Sequence, residues 1–171
     1  MSSELLGRYK LILLDRHVHP ARYVLRAWPM AMLPTLAIAT VASTIAHIAG
    51  AEYLFDENQW GNLFEMSSTM LLLQIVVVAP IVETLLMAPL LALLLRVLPR
   101  KRYVVLGSAL VWAGLHSLSA PIWGVCIFWT FVVFSTAFVV WRERSLWHAI
   151  GVTAAIHALN NTFAGLGIVF S

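Results

Sequence analysis

Residues 66–95 form an apolar run of thirty positions in which Glu83 is the only charged side chain. A surface helix of a water-soluble domain cannot be built from it, because such a helix needs a polar face. Wound as one α-helix the run would be about 45 Å long, against about 30 Å for the hydrocarbon core of a bilayer. It must tilt, kink or break, and Pro80 and Pro89 are the natural places, since proline lacks the N–H that the helical ladder uses. Four more apolar runs, 28–49, 103–119, 121–141 and 146–170, have lengths suited to a span, which takes about 17–25 residues. The chain is 61% hydrophobic and 11% charged, the latter about half the fraction in soluble domains. The expected fold class is therefore all-α: an integral membrane helical bundle of about five transmembrane spans with a long, kinked second span. "PMAMLP" at 29–34 reads as an irregular beginning of the first span, and "SAP" at 119–121 as a tight turn between the third and fourth.

The basic residues give the expected orientation. Five precede the first span (Arg8, Lys10, Arg16, Arg22, Arg26), four lie between the second and third (Arg96, Arg100, Lys101, Arg102), and two lie between the fourth and fifth (Arg142, Arg144). The loop at 50–65 carries only acids: Glu52, Asp56, Glu57 and Glu65. Positive residues stay on the cytoplasmic side, so the N-terminus is expected inside, the acidic loop outside and the C-terminus outside. Two crossings within 66–95 would put Arg100–Arg102 outside and are rejected on that ground. Residues 1–27 read as a basic, amphipathic cytoplasmic segment that is retained rather than cleaved. Residues 28–171 read as a single membrane-embedded helical domain. The compact multi-pass pattern suits a bacterial inner (cytoplasmic) membrane.

Several function classes fall away. Cys126 is the single cysteine, which excludes an intramolecular disulfide and a cysteine-ligated zinc site. No Gly-rich phosphate loop and no basic run with interleaved aromatics is present, so nucleic acid is not an expected partner.

Ionisable groups inside the spans are few. Glu83 is the only acid, His116 lies in the third span and His157 in the fifth. Counted from the inner ends of their spans, they sit at depths of about 20, 18 and 16 Å, with Asn161 about 6 Å further out. Three spans thus place polar groups in one layer. Trp112 and His116 share a helix face at i, i+4, as do His157 and Asn161. A carboxylate at mid-bilayer costs a few kcal/mol, so a partner or a function is expected for it. The plain structural alternatives are that Asn160 and Asn161 join helices by hydrogen bonds, that a histidine does the same, and that Trp112 only packs.

"APIVET", "WAGLH" and "HALNN" resemble, in order, the three motifs of the CAAX protease and bacteriocin-processing (CPBP, or Abi) family of glutamic intramembrane proteases. The family pattern is a Pro three residues before Glu-Glu-x-x-x-Arg, then Phe-x-x-x-His, then His-x-x-x-Asn. Pro80 and Glu83 match the first, Trp112 and His116 the second with one aromatic for another, and His157 and Asn161 the third. The similar region covers about residues 66–165. Thr84 and Ala88 stand where the family has its second Glu and its Arg. The resemblance implies peptide hydrolysis inside a helical bundle. Glu83 would be the general base, His116 would hold the attacking water, and His157 and Asn161 would stabilise the oxyanion. Trp112, Asn160 and Thr84 would line or support the site. The implied substrate is a membrane-associated peptide or lipid-anchored protein, and no cofactor is implied.

Three other readings use the same residues. Glu83, His116 and His157 are a ligand set that a zinc hydrolase could use. A chain with Thr84 and Ala88 in the first motif could instead be a catalytically degenerate binding or immunity partner in the membrane. An intramembrane acid with histidines also fits a proton or solute relay, although no internal repeat accompanies it.

Overall fold

The computed structural model describes residues 11–55 and 66–170, and among them there is no strand. The five apolar runs map onto five helices: α1 (Pro20–Ile48), α2 (Ser68–Val97), α3 (Lys101–Ser117), α4 (Trp123–Trp141) and α5 (Leu146–Phe170). Three of them, α1, α2 and α4, are long and apolar enough to cross a membrane. Helix α3 has 17 residues, and α5 has 25 but carries His148, His157, Asn160 and Asn161.

Helix α4 is the centre of the bundle. Of its most apolar stretch 56% is buried, against 17% for α1 and 28% for α2. Its buried side chains, among them Phe131, Phe134, Phe138 and Trp141, meet Tyr23 and Met30 from α1, Val104 and Trp112 from α3, and Val152 and Ile156 from α5 in one cluster. Helix α2 packs mainly on α5 and α3, at the edge of this core. The outward faces are apolar too: Leu36 and Ile45 of α1, Leu86 and Leu93 of α2, and Leu110 of α3 are exposed. An apolar exterior around a packed interior is the inverse of a water-soluble bundle.

The first helix begins earlier than its apolar run. Proline at the first helical turn gives up no needed donor, and the His19 ring Nδ1 accepts from the Ala21 N–H at 3.3 Å. Tyr23, Val24 and Ala27 therefore belong to α1 and to the core rather than to a separate surface segment. Residues 1–10 of the expected amphipathic segment lie outside the described residues. The expectation of an irregular start at 29–34 also needs correcting, because Pro29 and Pro34 lie inside a continuous α1. Pro34 leaves the Met30 carbonyl, four residues back, without its ladder donor. The Trp129 indole N–H of α4 donates to that carbonyl at 2.8 Å. The neighbouring helix thus supplies what the proline removes.

The expected distortion of α2 takes a specific form. Gln74–Val78 is wound as a π-turn, immediately before Pro80. Pro80 sits in the first turn of the following α-helical stretch, and Pro89 lies within it.

Polar contacts fix the two ends. At one end Glu143, in the α4–α5 loop, pairs with Arg16 before α1 and with Lys101 at the start of α3. At the other end His47 pairs with Glu52 at 2.9 Å, and the Ile122 N–H donates to the Leu54 carbonyl at 3.3 Å. The latter bond ties the segment after α1 to the α3–α4 turn. Asp56, Glu57 and Glu65 of the acidic loop lie outside the described residues.

Inside, the Ser135 hydroxyl donates to Ser108 Oγ at 3.0 Å, joining α4 to α3 where both residues are fully buried. Ser135→Ala leaves the Ser108 hydroxyl without this partner. The expected loss is about 1 kcal/mol of unfolding free energy, read by reversible denaturation in micelles.

Candidate functional site

Glu83 follows Pro80 by three residues on α2, about one helical turn. Its carboxylate points into the bundle toward α3 and α5. Glu83 Oε2 lies 3.9 Å from His116 Nε2 and 3.8 Å from His157 Nε2. These separations are too long for direct hydrogen bonds. They suit one small polar group, such as a water molecule, touching all three side chains. The Glu83 and His116 side chains are 22% and 26% exposed, while His157 is 5% exposed. The site is thus open on the Glu83–His116 side and closed behind His157.

The tautomer of His116 follows from its other nitrogen. Nδ1 lies 2.9 Å from the Trp112 carbonyl oxygen, one turn earlier on α3. A carbonyl only accepts, so Nδ1 carries the proton and, in the neutral ring, Nε2 presents its lone pair toward Glu83. Carboxylate and Nε2 are then both acceptors, and a shared water can give one O–H to each. His157 Nδ1 is buried and without a hydrogen-bond partner.

Helix α4 supplies a wall that the sequence did not mark. The Phe131 ring stacks on Trp112 with centroids 5.4 Å apart and planes at 10°, and its centroid lies 5.2 Å from that of His116. Phe134 lies 4.6 Å from the His157 ring. Both imidazoles are therefore held against aromatic faces. No pattern in residues 121–141 could single these two out, because most of that run is apolar and it holds other aromatic residues as well.

The remaining candidates sit differently. Trp112 is buried behind His116 in the Phe131 stack. Thr84 is fully buried with its hydroxyl unpartnered. As the residue after Glu83 it points about 100° away around the helix, into the core. Asn160 has a buried Oδ1 without a partner. Asn161 Nδ2 donates to the Ile75 carbonyl of α2 at 3.1 Å. The structure thus brings together Glu83, His116 and His157, with Trp112 supporting. It commits one N–H of Asn161 to the backbone of the helix that carries Glu83.

Among the described residues no three His, Cys, Asp or Glu, this trio included, are arranged to hold a metal ion. An apolar groove of about 310 Å³ lies between Val76, Val77, Pro80 and Ile81 on α2 and Ala154, Ala155 and Ala158 on α5, and none of Glu83, His116 and His157 lines it. No family model, curated protein or solved structure matches the chain, so the functional argument rests on its own residues, their motifs and their geometry.

Proposed function

We propose that this chain is a multi-pass membrane protein and an intramembrane endopeptidase, hydrolysing a peptide bond in a membrane-associated substrate. The observation that carries the reading is the approach of one buried carboxylate oxygen to two imidazole nitrogens at 3.8 and 3.9 Å. The membrane half is supported by the apolar outward faces and by three helices long enough to cross. In this reading all five helices cross, with the N-terminus cytoplasmic and the C-terminus outside, in a bacterial inner membrane.

The chemistry proceeds from the residues. A water held by Glu83 and His116 gives an O–H to each, so its lone pairs face away from both acceptors and toward a substrate carbonyl. As the water oxygen bonds to the carbonyl carbon, Glu83 takes the proton. His157, protonated on Nε2, donates to the oxyanion that develops. Glu83 then returns the proton to the leaving nitrogen as the C–N bond breaks. Water is consumed, a carboxylic acid and an amine are released, and no other reactant is needed. The resemblance of the motifs to those of the CPBP proteases supports the same roles for Glu83, His116 and His157.

The test compares membrane peptides from cells carrying the wild type or Glu83→Gln. A fragment found only with the wild type is expected and names the substrate; identical peptide sets overturn the reading. With that substrate, cleavage by purified protein is expected to be unchanged after stripping divalent metal with a chelator. Loss that zinc restores would transfer the chemistry to a metal-bound water.

A second reading is favoured by one specific feature. Thr84 is buried and unpartnered where the family has a second acid, which fits a non-catalytic membrane partner. It predicts that Glu83→Gln leaves the cellular phenotype intact.

A further inference from the structure

A proline inside a helix leaves one carbonyl of the preceding turn without a donor. In α1 the Met30 carbonyl left by Pro34 is capped by Trp129. Helix α2 repeats the device at its π-turn. There the Ala79 N–H donates to the Gln74 carbonyl, five residues back. The next carbonyl in that pattern belongs to Ile75, and its donor would be residue 80, which is proline. Asn161 of α5 donates to this carbonyl at 3.1 Å.

We propose that Asn161 is a positioning residue: it caps the Ile75 carbonyl that Pro80 leaves without a donor, and so fixes the helical register in which Glu83 meets His157. A π-turn carries one residue more than an α-turn, which rotates everything beyond it by about 100°. Relaxing the turn at 74–78 would swing Glu83 by that angle relative to the start of α2. The clamp comes from the helix that needs the register held, because Asn161 lies one turn beyond His157 on the same face of α5. One turn further, Gly165 brings α5 against the same segment. A side-chain carbon added there would lie 3.2 Å from Leu72, 3.4 Å from Val76 and 3.5 Å from Ile75. His157, Asn161 and Gly165 thus form one stripe along α2: the first faces Glu83, the second caps the π-turn and the third permits the close approach.

The effect on Glu83 rests on the hydrolytic reading above; the clamp itself does not. A double-mutant cycle separates the two. Thermal midpoints are measured in micelles for the wild type, Asn161→Ala, Pro80→Ala and the double variant. Asn161→Ala is expected to lower the midpoint by about 2–6 °C. Where Pro80→Ala restores an N–H at residue 80, the same substitution should cost less than about half as much. Equal costs in both backgrounds overturn the clamp. Should Pro80→Ala fail to fold, Asn161→Asp decides, since it keeps the shape but loses the amide donor; a wild-type midpoint overturns the clamp.

The kinetic arm uses the peptide found only with the wild type. Asn161→Ala is expected to lower kcat about 10–100-fold with KM unchanged, and Pro80→Ala to recover part of it. A loss that Pro80→Ala does not relieve places Asn161 on the reacting atoms instead and overturns the positioning role. If the wild type cleaves nothing, the hydrolytic reading fails while the thermal cycle still decides the clamp.

Discussion

If the proposed hydrolysis holds, Glu83→Gln is expected to lower peptide cleavage by about 1,000-fold or more while the protein remains folded. The substitution keeps the size of the side chain and removes its ability to accept a proton as a carboxylate does. General-base catalysis contributes roughly 100- to 10,000-fold, and 1,000-fold corresponds to about 4 kcal/mol of transition-state free energy. The two imidazoles do not replace it. His116 Nδ1 is committed to the Trp112 carbonyl, and in the proposed mechanism its Nε2 already serves as one of the two acceptors for the water. Stability should not fall. Glu83 Oε2 is buried without a hydrogen-bond partner in the protein, so exchanging the carboxylate for an amide relieves desolvation and breaks no direct bond to another side chain. The measurement is cleavage of the identified peptide by purified protein, alongside its thermal midpoint. A variant that retains more than about a tenth of wild-type cleavage would remove Glu83 from the chemistry.

The largest structural effect is expected from a methyl group. Gly124 opens α4 just after the α3–α4 turn, and a side-chain carbon there would collide with the Ala113 carbonyl oxygen and Ser117 Oγ of α3. One obstacle is backbone and cannot rotate aside, so α3 and α4 must separate. Overpacking of this kind costs about 3 kcal/mol, a fall of about 6–12 °C in the thermal midpoint for a chain of this size. Gly114→Ala is the matching control, because nothing lies within 4 Å of the carbon it adds; its midpoint is expected to stay level or rise slightly, since alanine is the better helix former. The two obstacles flank His116 in sequence, so displacement of α3 also moves its ring relative to Glu83. Gly124→Ala should therefore lose cleavage even below its lowered midpoint. Equal midpoints for the two alanine variants would mean that α3 and α4 do not approach as closely as described.

How much of this was legible beforehand depends on what each residue is read against. Glu83 stands out because no other residue of its run is charged, and a lone charge in such a run is visible without a fold. His116 and His157 became its candidate partners by counting, since helical rise converts sequence position into depth, and the structure brings a nitrogen of each within 4 Å of the Glu83 carboxylate. Depth carries no azimuth, however. It could not say that Thr84, one residue on, turns into the core, or that Asn161 reaches the backbone of α2 instead of the carboxylate. Phe131 and Phe134 were invisible for the opposite reason to Glu83, being apolar residues in an apolar run. The prolines were misjudged in α1 because sequence shows the hydrogen bond that proline removes, and not the Trp129 indole that replaces it.

By itself, then, the sequence determined the helical class, the number of apolar runs and the layer in which polar groups lie. Those follow from the apolar pattern and from a fixed rise per residue, which are properties of one segment at a time. The tertiary structure decided which faces meet, which carbonyls left by proline are capped, and that α4 stands at the centre behind both imidazoles. Those depend on helix rotation and close approach, set jointly by side chains far apart in the chain: Trp129 with Met30, Gly124 with Ala113, and Asn161 with Ile75.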